Sequence, residues 1–105
     1  MRSAARRAFD EAVQELDMLQ QLVVTGIHAE GVSAERAFRQ GLQRISAYCH
    51  DCPDVLDACR TTRIAAVRAF AAPHDTTNVT ALESALRTVA EELLSARGAG
   101  DKSDD

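Results

Sequence analysis

The chain gathers its chemically able side chains in one stretch, Tyr48-Cys49-His50-Asp51-Cys52-Pro53-Asp54, with Cys59 a little further on. Thiolate and imidazole groups together suit Zn or Cu(I), and two cysteines three residues apart have the spacing of half a zinc knuckle. The other half is missing. A tetrahedral site needs Cys49, His50, Cys52 and Cys59 together, or a histidine from another loop, His28 or His74. The competing reading places the thiols in a core. Cys49 and Cys52 continue the spacing of Phe38, Leu42 and Ile45, and free cysteine is among the most buried residue types. A redox role is the third reading. Cys52, just ahead of Pro53, stands where a helix N-terminus favours a thiolate, while Asp51 and Asp54 beside it oppose one. A Cys49–Cys59 bridge does not fit an antiparallel helical hairpin. Cys59 then lies across from Ser46, which leaves the two Cα atoms about 10 Å apart against a limit of roughly 7 Å.

Arginines form the second grouping. Arg60 and Arg63 are one helical turn apart, and Arg2, Arg6 and Arg7 crowd the start of the chain. Guanidinium suits bidentate capture of a phosphate or a partner carboxylate, and equally suits solvated pairing with nearby Asp and Glu. Other constellations are missing from the sequence. It has no glycine-rich phosphate loop, no pair of histidines four apart with an intervening Glu, and no recurrent Glu-x-x-His motif of a di-iron bundle. Glu91 with Glu92, and Glu11 with Glu15, read as solvated faces. The expectation is a non-catalytic protein needing no cofactor, with Zn or Cu confined to the metal- or thiol-sensing alternative.

Composition bounds the rest. A chain of 105 residues has room for one domain and one core. Apolar residues at 46% and charged residues at 27% are those of a folding, soluble chain. Twelve Lys and Arg against sixteen Asp and Glu give a net charge of −4, and half of that sits in the last eight residues, Gly98 to Asp105. The balance argues against broad nucleic-acid affinity, as do the absence of Trp and an aromatic content of 4%, although the Arg clusters keep a nucleic-acid-binding regulator as a weaker alternative. No apolar run reaches the roughly 18 residues of a membrane span, and the start leads into an amphipathic pattern instead of an apolar leader. Three cysteines, an odd number, read as reduced thiols in a cytoplasmic protein. Asn78-Val79-Thr80 matches a glycosylation acceptor only by chance on that reading.

The elements that must position these groups are helices. Phe9, Val13, Leu16, Leu19, Val23 and Ile27 recur at gaps of three or four from Ser3 to Gly26. A second helix starts with Ser33 as N-cap, carries Phe38, Leu42, Ile45 and Cys49, and ends near Asp51. Pro53 opens a third, running to about Ala72, with Asp54 and Asp57 in its first turn. Thr80 and Glu83 have capping-box spacing for a fourth, in which Val79, Leu82, Leu86, Val89 and Leu93 form a heptad closed by Gly98 and Gly100. Nothing alternates like a strand. The predicted fold is all-α, an antiparallel up-down-up-down four-helix bundle over residues 1–97 with a disordered acidic tail at 98–105. Gly41 reads either as a close helix contact or as a tolerated weak point.

Residues 26–38 contain Gly26-Ile27 followed by Val32-Ser33-Ala34-Glu35-Arg36-Ala37-Phe38, which resembles a stretch of ANTAR RNA-binding domains, bacterial antiterminators built as small helical bundles. The gap between the glycine and the Ala-Phe pair is shorter here, the methionine-bearing segment reads His28-Ala29, and two further long helices follow, so no residue role is carried over.

The apolar arcs carry the functional expectation. The large apolar residues of helix 2 span about 120°, while Leu22 and Val24 widen helix 1 to roughly 200°, with Met18 outside even that. Val55, Leu56, Cys59, Ile64, Val67 and Phe70 cover about half of helix 3. Met18, Leu22, Val24, Leu56, Ile64 and Val67 are therefore the expected interface of a homodimer or of a complex with another protein.

Overall fold

The computed structural model describes residues 2–26 and 31–103, with side chains over 7–24 and 34–96. Residues 27–30, which include His28, and the terminal Asp104 and Asp105 lie outside the described residues, as do the side chains of Arg2 and Arg6. Four helices account for the described chain: α1 (Arg2–Gly26), α2 (Gly31–Tyr48), α3 (Pro53–Ala71) and α4 (Thr76–Ser103).

The two prolines set the breaks. A residue before proline is driven out of the α region. Cys52 is extended at φ −113, ψ 90, and its carbonyl still accepts the first α3 bond, from Leu56 N at 3.0 Å. That ends α2 earlier than its apolar spacing implies, at Tyr48, with a turn closed by Cys52 N to Cys49 O at 3.0 Å. Ala72 repeats the pattern before Pro73, at φ −137, ψ 70.

Two boundaries differ from the sequence reading for local reasons. α2 is already helical at Gly31, so Ser33 lies inside it and is not its cap. α4 begins at Thr76, because Asp75 supplies the cap: Thr77 N donates to Asp75 Oδ1 at 3.0 Å, and Val79 N donates to Asp75 O at 3.2 Å. The Thr80–Glu83 pair is then in the second turn and caps nothing. α4 also passes Gly98 and Gly100 and continues to Ser103.

The fold is all-α, and neighbouring helices run antiparallel. Glu15 pairs with Arg44 while Leu19 meets Gly41, so moving forward along α1 means moving backward along α2. Contacts join α1 to α2, α2 to α3, α3 to α4 and α4 to α1, with none between α1 and α3 or between α2 and α4 among the described residues. The helices thus form a closed square, and its 21 × 17 Å cross-section fits a two-by-two array of axes about 8–10 Å apart.

Each helix fills the centre with one stripe. Leu16, Leu19 and Val23 come from α1, Phe38, Leu42, Ile45 and Cys49 from α2, Val55, Cys59 and Phe70 from α3, and Leu82, Leu86, Val89 and Leu93 from α4; all are buried. Phe38 and Phe70 meet edge to face with ring centroids 5.7 Å apart. Burying a Leu, Ile or Phe side chain contributes about 1.5–3 kcal/mol, so this stripe set dominates stability. Val13 is a correction. It keeps the spacing of the α1 stripe but is 36% exposed, because Ala12 takes the inward position and Val13 lies about 100° round the helix from it.

Candidate functional site

The thiols occupy the α2–α3 corner. Cys49 and Cys59 are buried, and Cys52 is half-buried at the turn. Burial pushes Cys49 up to about 12, helped by Cys52, Cys59 and Asp51 nearby. Burial likewise raises Cys52, with Asp51 adding to it through a contact of 3.7 Å, and raises Cys59 against a hydrogen bond from Ser46. All three are therefore held as neutral thiols. All three cysteines are free. His50 is exposed, its Nδ1 3.3 Å from Ala47 O. Among the described residues no three His, Cys, Asp or Glu side chains come together as a metal site. Cys49 is buried where its spacing put it, whereas Cys52, which the same spacing placed in the core, is only half-buried because α2 ends at Tyr48; Cys59 is buried from α3.

The expected interface does not form one face. Met18, Val24, Ile64 and Val67 are exposed, whereas Leu22 and Leu56 are half-buried, Leu22 against the core. Met18 shares the flank of α1 that carries Glu15 toward α2, three residues away. Val24 lies on the opposite flank, where it borders a recess of about 240 Å³ with Glu83, Arg87 and Ala90 of α4. Ile64 and Val67 belong to α3, diagonally across the bundle and without contact to α1. The sequence counted apolar arcs correctly but could not tell that helices 1 and 3 sit at opposite corners. It also left out Leu94, 62% exposed on α4. Two turns on from Gln20 and Arg87, which border the same recess, Val13 and Leu94 come to the same level of the α1–α4 flank.

A large concavity lies between α2 and α3. It is an open groove of about 720 Å³, walled by Arg36 and Arg39 on α2 and by Arg60 and Arg63 on α3. Leu42, Leu56 and Cys59 border its floor, and Gln40, Gln43 and Ser46 add polar groups. Two of the guanidiniums have loose carboxylate neighbours: Arg39 lies 3.9 Å from Glu35, and Arg60 lies 3.3 Å from Asp57. Both pairs are solvent-exposed, so each contributes about 0–1 kcal/mol and holds its arginine weakly. A much firmer pair stands one helix away, where Arg44 Nε reaches both oxygens of Glu15 at 2.9 and 2.7 Å and ties α1 to α2. Sequence reading singled out Arg60 and Arg63 and missed Arg36 and Arg39. The signal was present, since Arg36 and Arg39 are also one turn apart, but only the antiparallel pairing of α2 with α3 brings the two sets to one groove.

No protein-family model matches the chain, and comparisons with curated proteins and with solved structures give no match.

Proposed function

We propose that this chain is a non-catalytic helical-bundle interaction protein and that the α2–α3 groove is the face through which it binds a macromolecular partner. The observation that carries the reading is the grouping of Arg36, Arg39, Arg60 and Arg63 around one groove of about 720 Å³, where Arg39 and Arg60 have only the exposed partners Glu35 and Asp57 among the described residues. Such a surface attracts anionic groups by long-range steering and by charge-assisted hydrogen bonds. The metal- or thiol-sensing alternative loses support, because a sensing thiol needs an electropositive, accessible setting and these thiols are held neutral.

Quantitative affinity purification tests this, comparing the wild-type chain with Arg39→Glu/Arg63→Glu in extracts of the source cell. At least one protein enriched by the wild type and lost with the variant is the expected result. Identical profiles would remove the groove from the account.

A second reading, self-association, is favoured by one observation, the exposed Val13, Val24 and Leu94 along the α1–α4 flank. Sedimentation equilibrium at high micromolar concentration should then give a mass above one chain, reduced by Val13→Ser/Leu94→Ser. A single-chain mass at that concentration would leave those side chains as ordinary surface residues.

A further inference from the structure

The four groove arginines stand on two facing rims, Arg36 and Arg39 on α2 and Arg60 and Arg63 on α3. The Phe38–Phe70 contact sets the register of α2 against α3, with residues 38 and 70 at one level. On that register Arg36, Arg39, Arg63 and Arg60 follow one another along the groove in that order. At about 1.5 Å of rise per residue, the step along the groove axis is about 4.5 Å within each helix and about 5–9 Å from Arg39 on one rim to Arg63 on the other. The whole ladder is about 14–18 Å long, or roughly three helical turns.

Resting on the reading of this groove as the interaction face, we propose that its ligand is an acidic amphipathic helix of a partner protein, with one carboxylate per turn on the face it presents. Three features select that class. First, an α-helix repeats its groups every 5.4 Å or so, within the range of the ladder's steps, and a groove between two antiparallel helices accepts a third. Second, the half-buried Leu56 borders the groove between the charged rims, so the ligand has an apolar side to bury against it. Third, Arg39 and Arg60 have only exposed, weakly held carboxylate neighbours, which an incoming Glu or Asp can replace at small cost. A lone phosphate is a poorer match, because guanidiniums that grip one anion close on a point and these are spread over about 14–18 Å of the groove's length. Single-stranded nucleic acid is poorer too, since among the described residues no aromatic side chain borders the groove to stack a base.

The test uses the full chain and a fluorescent synthetic helix of about 15 residues, alanine-rich, with four Glu once per turn on one face and Leu beside them. Fluorescence anisotropy at low salt should show saturable binding. Arg39→Glu/Arg63→Glu should weaken it about ten-fold or more, as should moving the same four Glu around all faces of the helix. The peptide with Gln for Glu should not bind. All the substituted arginines are exposed, and circular dichroism confirms that each variant keeps its helix content. Equal binding of the rearranged peptide would overturn the proposal, as would tighter binding of a single-stranded oligonucleotide of similar length. So would competition by millimolar inorganic phosphate matching that of the peptide, or a self-associated state dispersed by the arginine substitutions, which would give the groove to a second copy. Failure of the peptide beside groove-dependent capture from extracts removes this inference alone. Loss of both removes the interaction reading as well.

Discussion

Gly41 offers a sharp test of how α1 and α2 meet. A Cβ added there would overlap Leu19 Cδ2 and sit 3.1 Å from Leu19 Cγ. Leu19 is 3% exposed in a close-packed centre, so its side chain has no free space to swing into. Gly41→Ala therefore sets two effects against each other. Helix propensity gains about 1 kcal/mol, while overpacking a filled core costs about 1–3 kcal/mol. The net expectation is a loss of about 1 kcal/mol. Leu19→Ala removes every atom that the new methyl would strike, so in that background Gly41→Ala should stabilise by about 1 kcal/mol. The sign reverses, and the coupling energy is about 2 kcal/mol. Leu19→Ala alone costs about 2–5 kcal/mol, which a chain of this size, with about 5–15 kcal/mol in hand, tolerates. Urea denaturation of the four proteins reads the cycle, because each kcal/mol moves the midpoint by about 0.3–1 M. Stabilisation by Gly41→Ala in both backgrounds would refute the close-approach argument and make Gly41 a replaceable weak point.

Other expectations follow from single contacts. At pH 8 the native protein should expose at most one thiol, Cys52, to a disulfide reagent, reacting more slowly than a free thiol, with three released on denaturation; rapid native labelling of Cys49 or Cys59 would contradict their burial. The folded Cys49 pKa lies above its ordinary 9.0, at about 12, so the neutral thiol contributes stability in full below pH 9 and loses it as pH rises toward 12. Stability should therefore decline with pH above 9, and less steeply in Cys49→Ala. A double-mutant cycle on Glu15 and Arg44 should give about 0.5–1 kcal/mol, weakened by salt, since Arg44 is half-exposed; no coupling at low salt would mean the pair is only decorative. Thr62 is fully buried, and its hydroxyl donates to Ala58 O at 2.8 Å, a carbonyl that also receives the helical bond. Thr62→Val should accordingly change stability by less than about 1 kcal/mol, whereas a loss of several would show that the hydroxyl has a further partner.

Much of the fold was legible because its signals are local. Pro53 and Pro73 dictated two breaks, and the heptad Leu82, Leu86, Val89 and Leu93 pointed inward as its spacing required. Where local signals competed, spacing alone chose badly. Asp75 outcompeted Thr80 as the α4 cap because it accepts from Thr77 N, and a second capping residue downstream has no orphan N–H left to serve. Val13 passed as a stripe residue because a gap of four and a gap of three average to the helical period, yet Ala12 gives the closer approach. The candidate site was half legible for a different reason. Arg60 and Arg63 are neighbours in sequence, but their joining to Arg36 and Arg39 depends on which helix lies beside which, and periodicity within one helix carries no such information.

The square arrangement also explains how an acidic chain can present a basic face. α3 has walls on two grooves: Arg60 and Arg63 line the one shared with α2, while Asp54 and Asp57 line the one shared with α4, together with Glu92. Opposite charges are thus sorted to the two flanks of a single helix, and the exposed Arg60–Asp57 pair at 3.3 Å links them across it. With a Debye length of roughly 8–10 Å in ordinary buffers, a partner near the α2–α3 side responds more to the guanidiniums than to Asp54 and Glu92 on the far side of the helix, while Asp57, 3.3 Å from Arg60, is felt with it. Net charge then misleads about recognition. Adding acidic residues on the α3–α4 flank should barely change capture of an acidic helix in the α2–α3 groove at physiological ionic strength, and should slow it only when the salt is diluted enough for the far flank to be felt.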